Sequence, residues 1–270
     1  MPTEPRPRAA MVVAHPDDEV IFFGGLAARL VGEGWDVDVV CVTGRFCSPY
    51  TTCARRAEFF RACGALGVKA RLLDLTDDSG PLDEVMLGRA LTERVRWDRY
   101  ARVYTHGPWG EYGHLHHVQV CRAVHRRGRA VRCLAGPFAP DFAVPLSQAE
   151  LDSKRRLAAL AYPSQPFAAR WCTEREDLVG LHLDAVEVLT AIASAERTGD
   201  DTALRDASGL RAVALPVLVP AALDAVTPTF PSVTHIPAHL WRDGHRARVR
   251  ALQRRTADEG GDLADLGGRT

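Results

Sequence analysis

The sequence carries no net charge, and this absence limits the partners that the protein can attract. Its 34 lysine and arginine residues are matched by 34 aspartate and glutamate residues. A chain of this kind produces no long-range field that would collect nucleic acid or anionic lipid. We therefore expect a small molecule as the partner, and no nucleic acid.

Long apolar runs are also missing. The apolar run at residues 9–14 is too short for a signal peptide, and no run reaches the about 18 apolar residues that a membrane span needs. The seven cysteines never occur as Cys-x-x-Cys. The sequence therefore indicates a reduced, cytoplasmic protein without a membrane anchor. Cys47 and Cys53 share one loop, and a disulfide between them is the alternative that this spacing leaves open.

Two common catalytic motifs are absent as well. A nucleotide-dependent oxidoreductase or transferase of the α/β class would have Gly-x-Gly-x-x-Gly after its first strand, where this chain has His-Pro-Asp-Asp. A serine hydrolase would have a Gly-x-Ser-x-Gly elbow, and the chain has none. Both classes of enzyme are disfavoured.

The chain does contain alternating strand and helix patterns. Its 270 residues, 46% of them hydrophobic, are enough for one large α/β domain. Short apolar runs predict strands at 9–14, 36–43, 70–75, 101–105 and 130–135, and helical spacing predicts helices at 19–34, 54–66, 82–97 and 114–126. Repeated βα units favour a Rossmann-like α/β fold, a mostly parallel sheet with helices on both faces.

The pattern becomes less regular after about residue 137. Helices are predicted at 148–161 and 178–197 and a late strand at 212–219. We divide the chain into a flexible N-terminus (1–8), a Rossmann-like domain (9–234) and an Arg-rich, partly flexible tail (235–270). Within the domain, residues 9–136 form the core βα units and 137–234 form a smaller C-terminal portion.

The first predicted strand runs directly into His15-Pro16-Asp17-Asp18. In parallel sheets, ligands bind beyond the carboxyl ends of the strands, so this imidazole and these two carboxylates are candidates for a site. The structural alternative is that Asp17 or Asp18 caps the helix that follows. Capping accounts for one of the two aspartates more readily than for both.

A second polar cluster follows the fourth predicted strand. Residues 106–117 contain four of the ten histidines, and His114 and His117 share a face if they open a helix. Two imidazoles, one carboxylate and an open water position suit catalytic zinc. His15, Asp18 and one histidine of the second cluster supply that set. Asp17 is then a candidate general base, and a remaining histidine can protonate a leaving amine. Iron(II) is an alternative to zinc with the same ligands.

These two clusters resemble the motifs of the PIG-L/LmbE-like family of zinc-dependent N-deacetylases. The similarity spans roughly residues 9–166. The family's opening motif, AHPDDE, is intact at Ala14–Glu19, and its second motif, Y-G-H-x-x-H, is present at Tyr112–His117. The resemblance implies a Rossmann-like fold and hydrolysis of an N-acetyl group on an amino sugar.

The resemblance also implies a role for each matching residue. It places the zinc ligands at His15, Asp18 and His117, and the general base at Asp17. It makes His114 the general acid or electrostatic partner, and it gives the Tyr112 hydroxyl a role in stabilising the tetrahedral intermediate.

Weaker matches extend the similarity. Residues 55–59, RRAEF, resemble a family helix whose arginine contacts the sugar, and Arg56 is the preferred of the two arginines. Asp78 lies in a stretch resembling a loop whose aspartate binds sugar hydroxyls. Lys154 and the YPSQ at 162–165 resemble a late family stretch that we interpret as structural.

Two departures from the family pattern bear on function. The family usually has Pro-Asp between the two histidines, with the aspartate orienting the acid, whereas this chain has Leu115-His116. Glu111 is a candidate substitute for that aspartate. The loop after the second strand, often G-E-x-G in the family, contains Arg45 here, which would favour a phosphate or carboxylate on the substrate; a solvated loop arginine is the simpler interpretation.

We therefore predict a zinc-dependent N-deacetylase acting on an amino sugar of the N-acetylglucosamine type. The substrate is expected to be a small glycoside, a sugar phosphate or a natural-product intermediate, as in antibiotic biosynthesis. One alternative is an amidase that cleaves a larger N-acyl group from an amino-sugar conjugate. Another is a non-catalytic sugar- or metal-binding homologue.

Overall fold

The computed structural model describes residues 5–78, 80–136 and 140–198. The strands are β1 (Arg8–Val13), β2 (Asp36–Arg45), β3 (Lys69–Thr76), β4 (Arg102–Thr105), β5 (Val131–Leu134) and β6 (Leu178–Val179). The helices are α1 (Asp18–Ile21), α2 (Gly24–Gly32), α3 (Pro49–Leu66), α4 (Glu84–Arg94), α5 (Gly110–Gly113), α6 (Leu115–His125), α7 (Gln148–Ala161), α8 (Ala168–Trp171) and α9 (Leu183–Thr198). A short 3₁₀ turn occupies Trp97–Arg99.

The six strands form one sheet in the order β3-β2-β1-β4-β5-β6. Strands β1 to β5 are parallel, and β6 pairs antiparallel with β5. The strand order reverses between β1 and β4, where loops leave in opposite directions and open a crevice. The predicted Rossmann-like, mostly parallel sheet is confirmed, and its ligand crevice lies at the carboxyl ends of β1 and β4.

Both faces of the sheet are covered, as predicted. Alternate side chains of β1 point to opposite faces: Met11 belongs to a core with α2, α3 and α7, while Val12 belongs to a core with α4 and α6. Every residue from Ala9 to Val13 is fully buried. This two-sided burial explains why the strand is a continuous apolar run rather than an alternating one.

The predicted helix at 19–34 consists of two helices, α1 and α2, interrupted at Phe22 and Phe23. The break lets Gly25 approach the C-terminal portion closely, since a Cβ there would lie 2.3 Å from a methyl carbon of Leu146. The N–H groups of Gly25 and Leu26, in the first turn of α2, donate to Glu176 at 2.8 and 2.6 Å. A distant side chain therefore caps α2, which local sequence patterns do not reveal.

The predicted helix at 178–197 is also different in the structure. Its first two residues form β6, and α9 begins at Leu183. The pairing of β6 with β5 is a long-range contact that overrides the local helical pattern. The predicted strand at 212–219 and the predicted tail at 235–270 lie outside the described residues. No helix of the described part is both long and apolar enough to cross a membrane.

Candidate metal and active site

The two polar clusters meet at one edge of the sheet. Strands β1 and β4 are direct neighbours, with Val12 opposite Thr105 in the register. The residues that follow β1 and those that follow β4 therefore leave the sheet side by side, at the point where the strand order reverses. Adjacency of the two strands brings together side chains that are about a hundred positions apart in the chain.

The three residues expected to bind metal form a compact triangle. His15 Nδ1 lies 3.4 Å from Asp18 Oδ2 and 3.2 Å from His117 Nε2, and His117 Nε2 lies 3.5 Å from Asp18 Oδ2. Tetrahedral zinc with bonds of about 2.0–2.1 Å separates its ligand atoms by about 3.3–3.4 Å. All three residues are buried. The donor atoms therefore fit a single zinc ion in type and in spacing.

Other sets of donor atoms also lie close together in the described residues. One set replaces Asp18 with His114, and another combines Asp18 and His117 with His106. His106 Nε2 accepts a hydrogen bond from the Ala14 N–H at 2.9 Å, so its lone pair is engaged. A third set combines His15 and His116 with Asp77. Within the triangle of His15, Asp18 and His117, Asp18 supplies the carboxylate that two imidazoles need beside them to suit zinc.

Glu111 holds one of the proposed ligands in place. Its Oε2 accepts hydrogen bonds from Nδ1 of His117 and, at 3.0 Å, from Nδ1 of His106. A proton on Nδ1 of His117 leaves Nε2 with a lone pair facing the triangle. Burial opposes ionisation of Glu111, but the two imidazoles lower its pKa to about 2. A carboxylate behind a histidine ligand is a recurrent arrangement in metal sites.

Glu111, the candidate partner for His114, lies elsewhere in the structure. It contacts His106 and His117, whereas Nδ1 of His114 accepts from the His116 N–H at 3.2 Å. The reason is the short α5, in which Glu111 adopts φ 56° and ψ −73° and turns away from His114.

Asp17 lies beside the triangle in a strained backbone conformation, with φ 110°. Its carboxylate makes no capping hydrogen bond to α1. Instead Oδ2 accepts from Arg55 Nη2 at 3.1 Å. Burial raises the pKa of Asp17 to about 7, although Arg55 opposes that shift. Helix capping thus explains neither aspartate, since Asp18 Oδ2 accepts from the His15 N–H at 2.7 Å.

His114 and Tyr112 line the same cavity as His15 and Asp17. The rings of His114 and His15 are 4.5 Å apart. Burial, together with the nearby His117 and His15, lowers the pKa of His114 far below its usual value, so the imidazole is neutral. Because Nδ1 accepts a hydrogen bond, Nε2 carries the proton and can donate. Burial likewise raises the pKa of Tyr112, which keeps its hydroxyl protonated.

Comparison with protein families gives a match over this region. Residues 10–127 match the model of the PIG-L family, described as GlcNAc-PI de-N-acetylase. This part of the chain is thus similar to the PIG-L family. The match includes most of β1, all of β2 to β4 and both polar clusters, and it agrees with the resemblance seen in the sequence motifs.

Two curated proteins are similar to part of the chain. A 1D-myo-inositol 2-acetamido-2-deoxy-alpha-D-glucopyranoside deacetylase of Corynebacterium diphtheriae is 32% identical over 149 residues, covering 44% of this chain and 51% of that protein. The uncharacterized protein L374 of Acanthamoeba polyphaga mimivirus is 27% identical over 128 residues, covering 43% of this chain and 55% of that protein. The chain therefore spans about half the length of the curated relatives it matches.

Solved structures with a similar fold differ in chemistry. The N,N'-diacetylchitobiose deacetylase of Pyrococcus horikoshii is 18% identical, with a TM-score of 0.48, covering 63% of this chain and 82% of that one. A 4-carboxy-2-hydroxymuconate hydratase of Pseudomonas putida is 17% identical, with a TM-score of 0.49, covering 72% and 89%. Neither similarity bears on function, because a shared fold does not imply a shared reaction.

A cavity of about 260 Å³ opens beside the triangle, with His15 and Asp18 in its wall. Much of its wall away from the polar cluster is aromatic, formed by Phe22, Phe46, Tyr112, Phe167 and Trp171. The rings of Phe167 and Trp171 are 4.3 Å apart, and Trp171 lies 5.8 Å from Tyr112. Aromatic faces of this kind offer apolar contact area beside a polar centre.

The three residues expected to contact the substrate are not among those that line this cavity. Arg56 forms an ion pair with Asp74. Asp78 accepts a hydrogen bond from the Gly80 N–H at 3.0 Å, within its own loop. Arg45 is exposed at the end of β2. The neighbouring residues Arg55 and Asp77 line the cavity instead. Arg55 does so because it lies on the buried face of α3.

Three side chains take positions that the sequence does not indicate. Arg55 lines the cavity in place of Arg56. Glu111 contacts His106 and His117 rather than His114. His116 contacts His15.

The RRxE pattern is compatible with either arginine. Arg55 shares the buried face of α3 with Glu58, Phe59 and Ala62, so helical periodicity is the signal that favours it over Arg56. The contacts of Glu111 depend on its positive φ, for which the sequence has no signal beyond the flanking Gly110.

Proposed function

We propose that this protein is a metal-dependent hydrolase that removes an N-acyl group, with acetyl as the first choice, from an amino sugar in a small molecule. The single observation that carries the proposal is the triangle of His15, Asp18 and His117, whose donor atoms are separated by 3.2 to 3.5 Å. Those separations match a tetrahedral zinc ion. Asp17 and His114 adjoin the triangle. Asp17, with a pKa of about 7, can take up a proton, and the neutral imidazole of His114 can donate a hydrogen bond.

Zinc is the proposed ion, held by Nδ1 of His15, Oδ2 of Asp18 and Nε2 of His117. A bound zinc polarises an amide carbonyl and makes water more acidic, toward a pKa of about 7. Iron(II) is compatible with the same ligands. Glu111 orients His117 and adds a second negative charge behind the site, which supports a divalent cation.

Asp17 is the proposed general base. A carboxylate with a pKa of about 7 is well matched to taking a proton from water at neutral pH. Arg55 holds Oδ2 of Asp17 at 3.1 Å and so fixes the direction of the carboxylate. The strained φ of Asp17 sets the same direction from the backbone side.

His114 and Tyr112 are proposed to act on the substrate amide. The Nε2–H of neutral His114 donates a hydrogen bond to oxygen or to the departing nitrogen, and the proton taken up by Asp17 reaches the amine during collapse of the intermediate. The protonated hydroxyl of Tyr112 donates to the developing negative charge on the carbonyl oxygen. Both side chains line the cavity beside His15.

An amino sugar fits the walls of this cavity. The Corynebacterium relative acts on a 2-acetamido-2-deoxy-glucopyranoside, and a sugar ring has an apolar face that packs on aromatic side chains. Phe167, Trp171 and Phe46 supply such faces, while Arg55, Asp77 and Gln165 supply polar contacts. An amidase that removes a larger acyl group would use the same aromatic wall for the acyl chain.

A reducing compartment, the cytoplasm, is the proposed location. All seven cysteines are free thiols. Cys47 and Cys53 do not share a loop as expected, since Cys53 lies in the first turns of α3. Proteins that keep exposed thiols free are typical of compartments where glutathione maintains reduction.

The test combines metal analysis with product detection. The protein is incubated with zinc and a panel of N-acylated amino sugars, and released carboxylate and primary amine are quantified with and without chelator. Asp17→Asn is expected to retain zinc and to lose about two to four decades in turnover, the usual scale for a general base. His117→Ala is expected to lose the metal and the activity together.

Two matched variants control for these losses. His182 is largely exposed, with 81% of its side chain accessible, so His182→Ala should keep metal and activity. Asp98 is 67% accessible, so Asp98→Asn should turn over at the original rate. Full zinc retention in His117→Ala would overturn the ligand assignment. Stoichiometric zinc without product from any substrate would favour the non-catalytic homologue.

A further inference from the structure

A chain of hydrogen bonds connects His15 to the backbone of the loop after β3. His116 Nδ1 lies 2.9 Å from His15 Nε2, and His116 Nε2 lies 2.8 Å from the carbonyl oxygen of Gly80. The Gly80 carbonyl can only accept, so Nε2 of His116 carries a proton. In the neutral imidazole Nδ1 of His116 is then an acceptor, and Nε2 of His15 donates to it.

This chain decides which nitrogen of His15 is available to a metal. With its proton on Nε2, His15 has a lone pair on Nδ1. That atom is the one that lies 3.4 Å from Asp18 Oδ2 and 3.2 Å from His117 Nε2. The Gly80 carbonyl therefore sets the tautomer of His116, and His116 in turn sets the tautomer and ring orientation of His15.

Asp77 lies near the contact between His15 Nε2 and His116 Nδ1, but it is too far away to replace His116. Its Oδ1 lies 3.9 Å from His15 Nε2 and 3.8 Å from His116 Nδ1, beyond hydrogen-bond distance. The two imidazole ligands are therefore held differently. His117 is backed by the Glu111 carboxylate, and His15 is backed by a neutral histidine.

We propose that His116 is a positioning residue for the metal site. It donates a hydrogen bond to the Gly80 carbonyl and accepts one from the Nε2–H of His15, and this relay of two hydrogen bonds fixes the orientation of His15. The inference rests on the proposed function, because it assumes a metal ion at His15, Asp18 and His117. It gives a role to His116, which stands where the PIG-L/LmbE-like family usually has aspartate: this histidine orients a metal ligand. It also gives the loop after β3 a part in metal binding.

Asp78 supports the same relay from the loop side. Its Oδ1 accepts from the Gly80 N–H at 3.0 Å, so the backbone of Gly80 is held at its N–H by Asp78 and at its carbonyl by His116. A substrate or variant that displaces Gly80 would change the metal affinity.

Two substitutions at His116 separate the halves of the relay. In His116→Asn, Oδ1 takes the place of Nδ1 and can accept from His15, while contact with Gly80 is lost. In His116→Gln, Nε2 takes the place of the imidazole Nε2 and can donate to Gly80, while the acceptor facing His15 is lost. Affinity for zinc is measured by competition with a chromophoric chelator on each full-length protein.

His116→Gln is expected to bind zinc about 10- to 100-fold more weakly, the usual cost of removing a partner behind a histidine ligand. His116→Asn is expected to stay within about threefold of the original affinity, because the acceptor remains. Equal affinity in His116→Gln and the unsubstituted protein would overturn the proposal. So would an equal loss in both variants.

A direct readout of the tautomer accompanies the affinities. Nitrogen-15 chemical shifts of His15 in the metal-free protein should report a proton on Nε2, and His116→Leu should redistribute it toward Nδ1. Thermal unfolding of the metal-free variants shows whether each one is folded. If the unsubstituted protein bound no zinc, the proposed function itself would fail; zinc binding that is indifferent to His116 would refute this relay alone.

Discussion

At the residue scale, two non-glycine residues with positive φ flank the site. Asp17 has φ 110° and Glu111 has φ 56°. Such conformations cost on the order of 1–3 kcal/mol each and persist when the surroundings determine them. The Asp17 N–H donates to Glu19 at 3.0 Å while its carboxylate is held by Arg55. These backbone conformations direct the Asp17 carboxylate toward Arg55 beside the triangle and the Glu111 carboxylate toward His117. Strained backbone is common at functional sites.

Arg55 and Arg56 provide a matched pair of substitutions. The Arg55 side chain is 5% accessible and pairs with buried Asp17, whereas the pair of Arg56 and Asp74 is about one-third exposed. Arg55→Met leaves a carboxylate buried without its partner and is expected to lower the free energy of unfolding by about 3 kcal/mol. Arg56→Met should cost less than about 1 kcal/mol.

Urea unfolding of both variants measures this difference. The comparison controls for the loss of an arginine from the same helix. Equal effects of the two substitutions would contradict the distinction between a buried and an exposed ion pair, and with it the placement of Arg55 against Asp17.

At the element scale, the amino ends of the central strands are tied together by Asp38 of β2. Tyr100, just before β4, donates its hydroxyl proton to Asp38 Oδ2 at 2.6 Å, and Arg8 of β1 donates to the same carboxylate at 3.1 and 3.3 Å. Burial, followed by the hydrogen bond to Asp38, raises the pKa of Tyr100 to about 12. The neutral phenol is thus the form that the fold favours.

This raised pKa predicts a loss of stability in alkali. Because the pKa of Tyr100 is higher in the folded state than its usual value of about 10, its contribution is complete below pH 10. It is lost as the pH rises from 10 through 12. The free energy of unfolding of Tyr100→Phe should therefore fall less over that interval than that of the original protein. Parallel curves for the two proteins would contradict the assignment.

A second link between elements joins α7 to the start of α2. Lys154 of α7 lies 2.6 Å from Glu176, and both side chains are almost fully buried. Glu176 also caps α2 through the N–H groups of Gly25 and Leu26. The structural role expected for Lys154 agrees with this position, since the residue does not line the cavity.

Glu176→Gln is expected to be strongly destabilising, by about 3–5 kcal/mol, because it leaves the ammonium of Lys154 buried without a counter-charge. Glu174→Gln, two residues earlier on the exposed surface, is the control and should change stability by less than about 0.5 kcal/mol. Denaturation midpoints compare the two. A small effect of Glu176→Gln would mean that α7 and α2 are held by apolar packing alone.

At the scale of the whole molecule, the proposed ion would connect β1 to the segment after β4. A ligand that binds only the folded state adds about 2.7 kcal/mol at a hundred times its Kd. Zinc is therefore expected to raise the unfolding midpoint by several degrees, and chelator to reverse the shift. Calorimetry with Asp17→Asn should show the same shift, whereas His117→Ala should show none. A zinc-dependent shift retained in His117→Ala would contradict the proposed ligands.

Much of the fold was predictable because the central strands are buried on both faces. The five parallel strands appear in the sequence as short apolar runs, and each lies within a few residues of its observed range. The strand β6 was not predictable, because two residues pair with β5 only after the chain has returned to the sheet. The break between α1 and α2 likewise depends on packing by Leu146 and capping by Glu176.

The sequence alone determined the fold class, the two polar clusters and their position at strand ends, since periodicity and residue type are local properties of the chain. Only the tertiary structure decided which atoms meet: that His15, Asp18 and His117 form one triangle, that Arg55 rather than Arg56 faces the cavity, and that His116 backs His15. Those contacts depend on strand order, helix rotation and backbone angles such as the φ of Glu111. Such quantities are set by the packing of distant segments against one another.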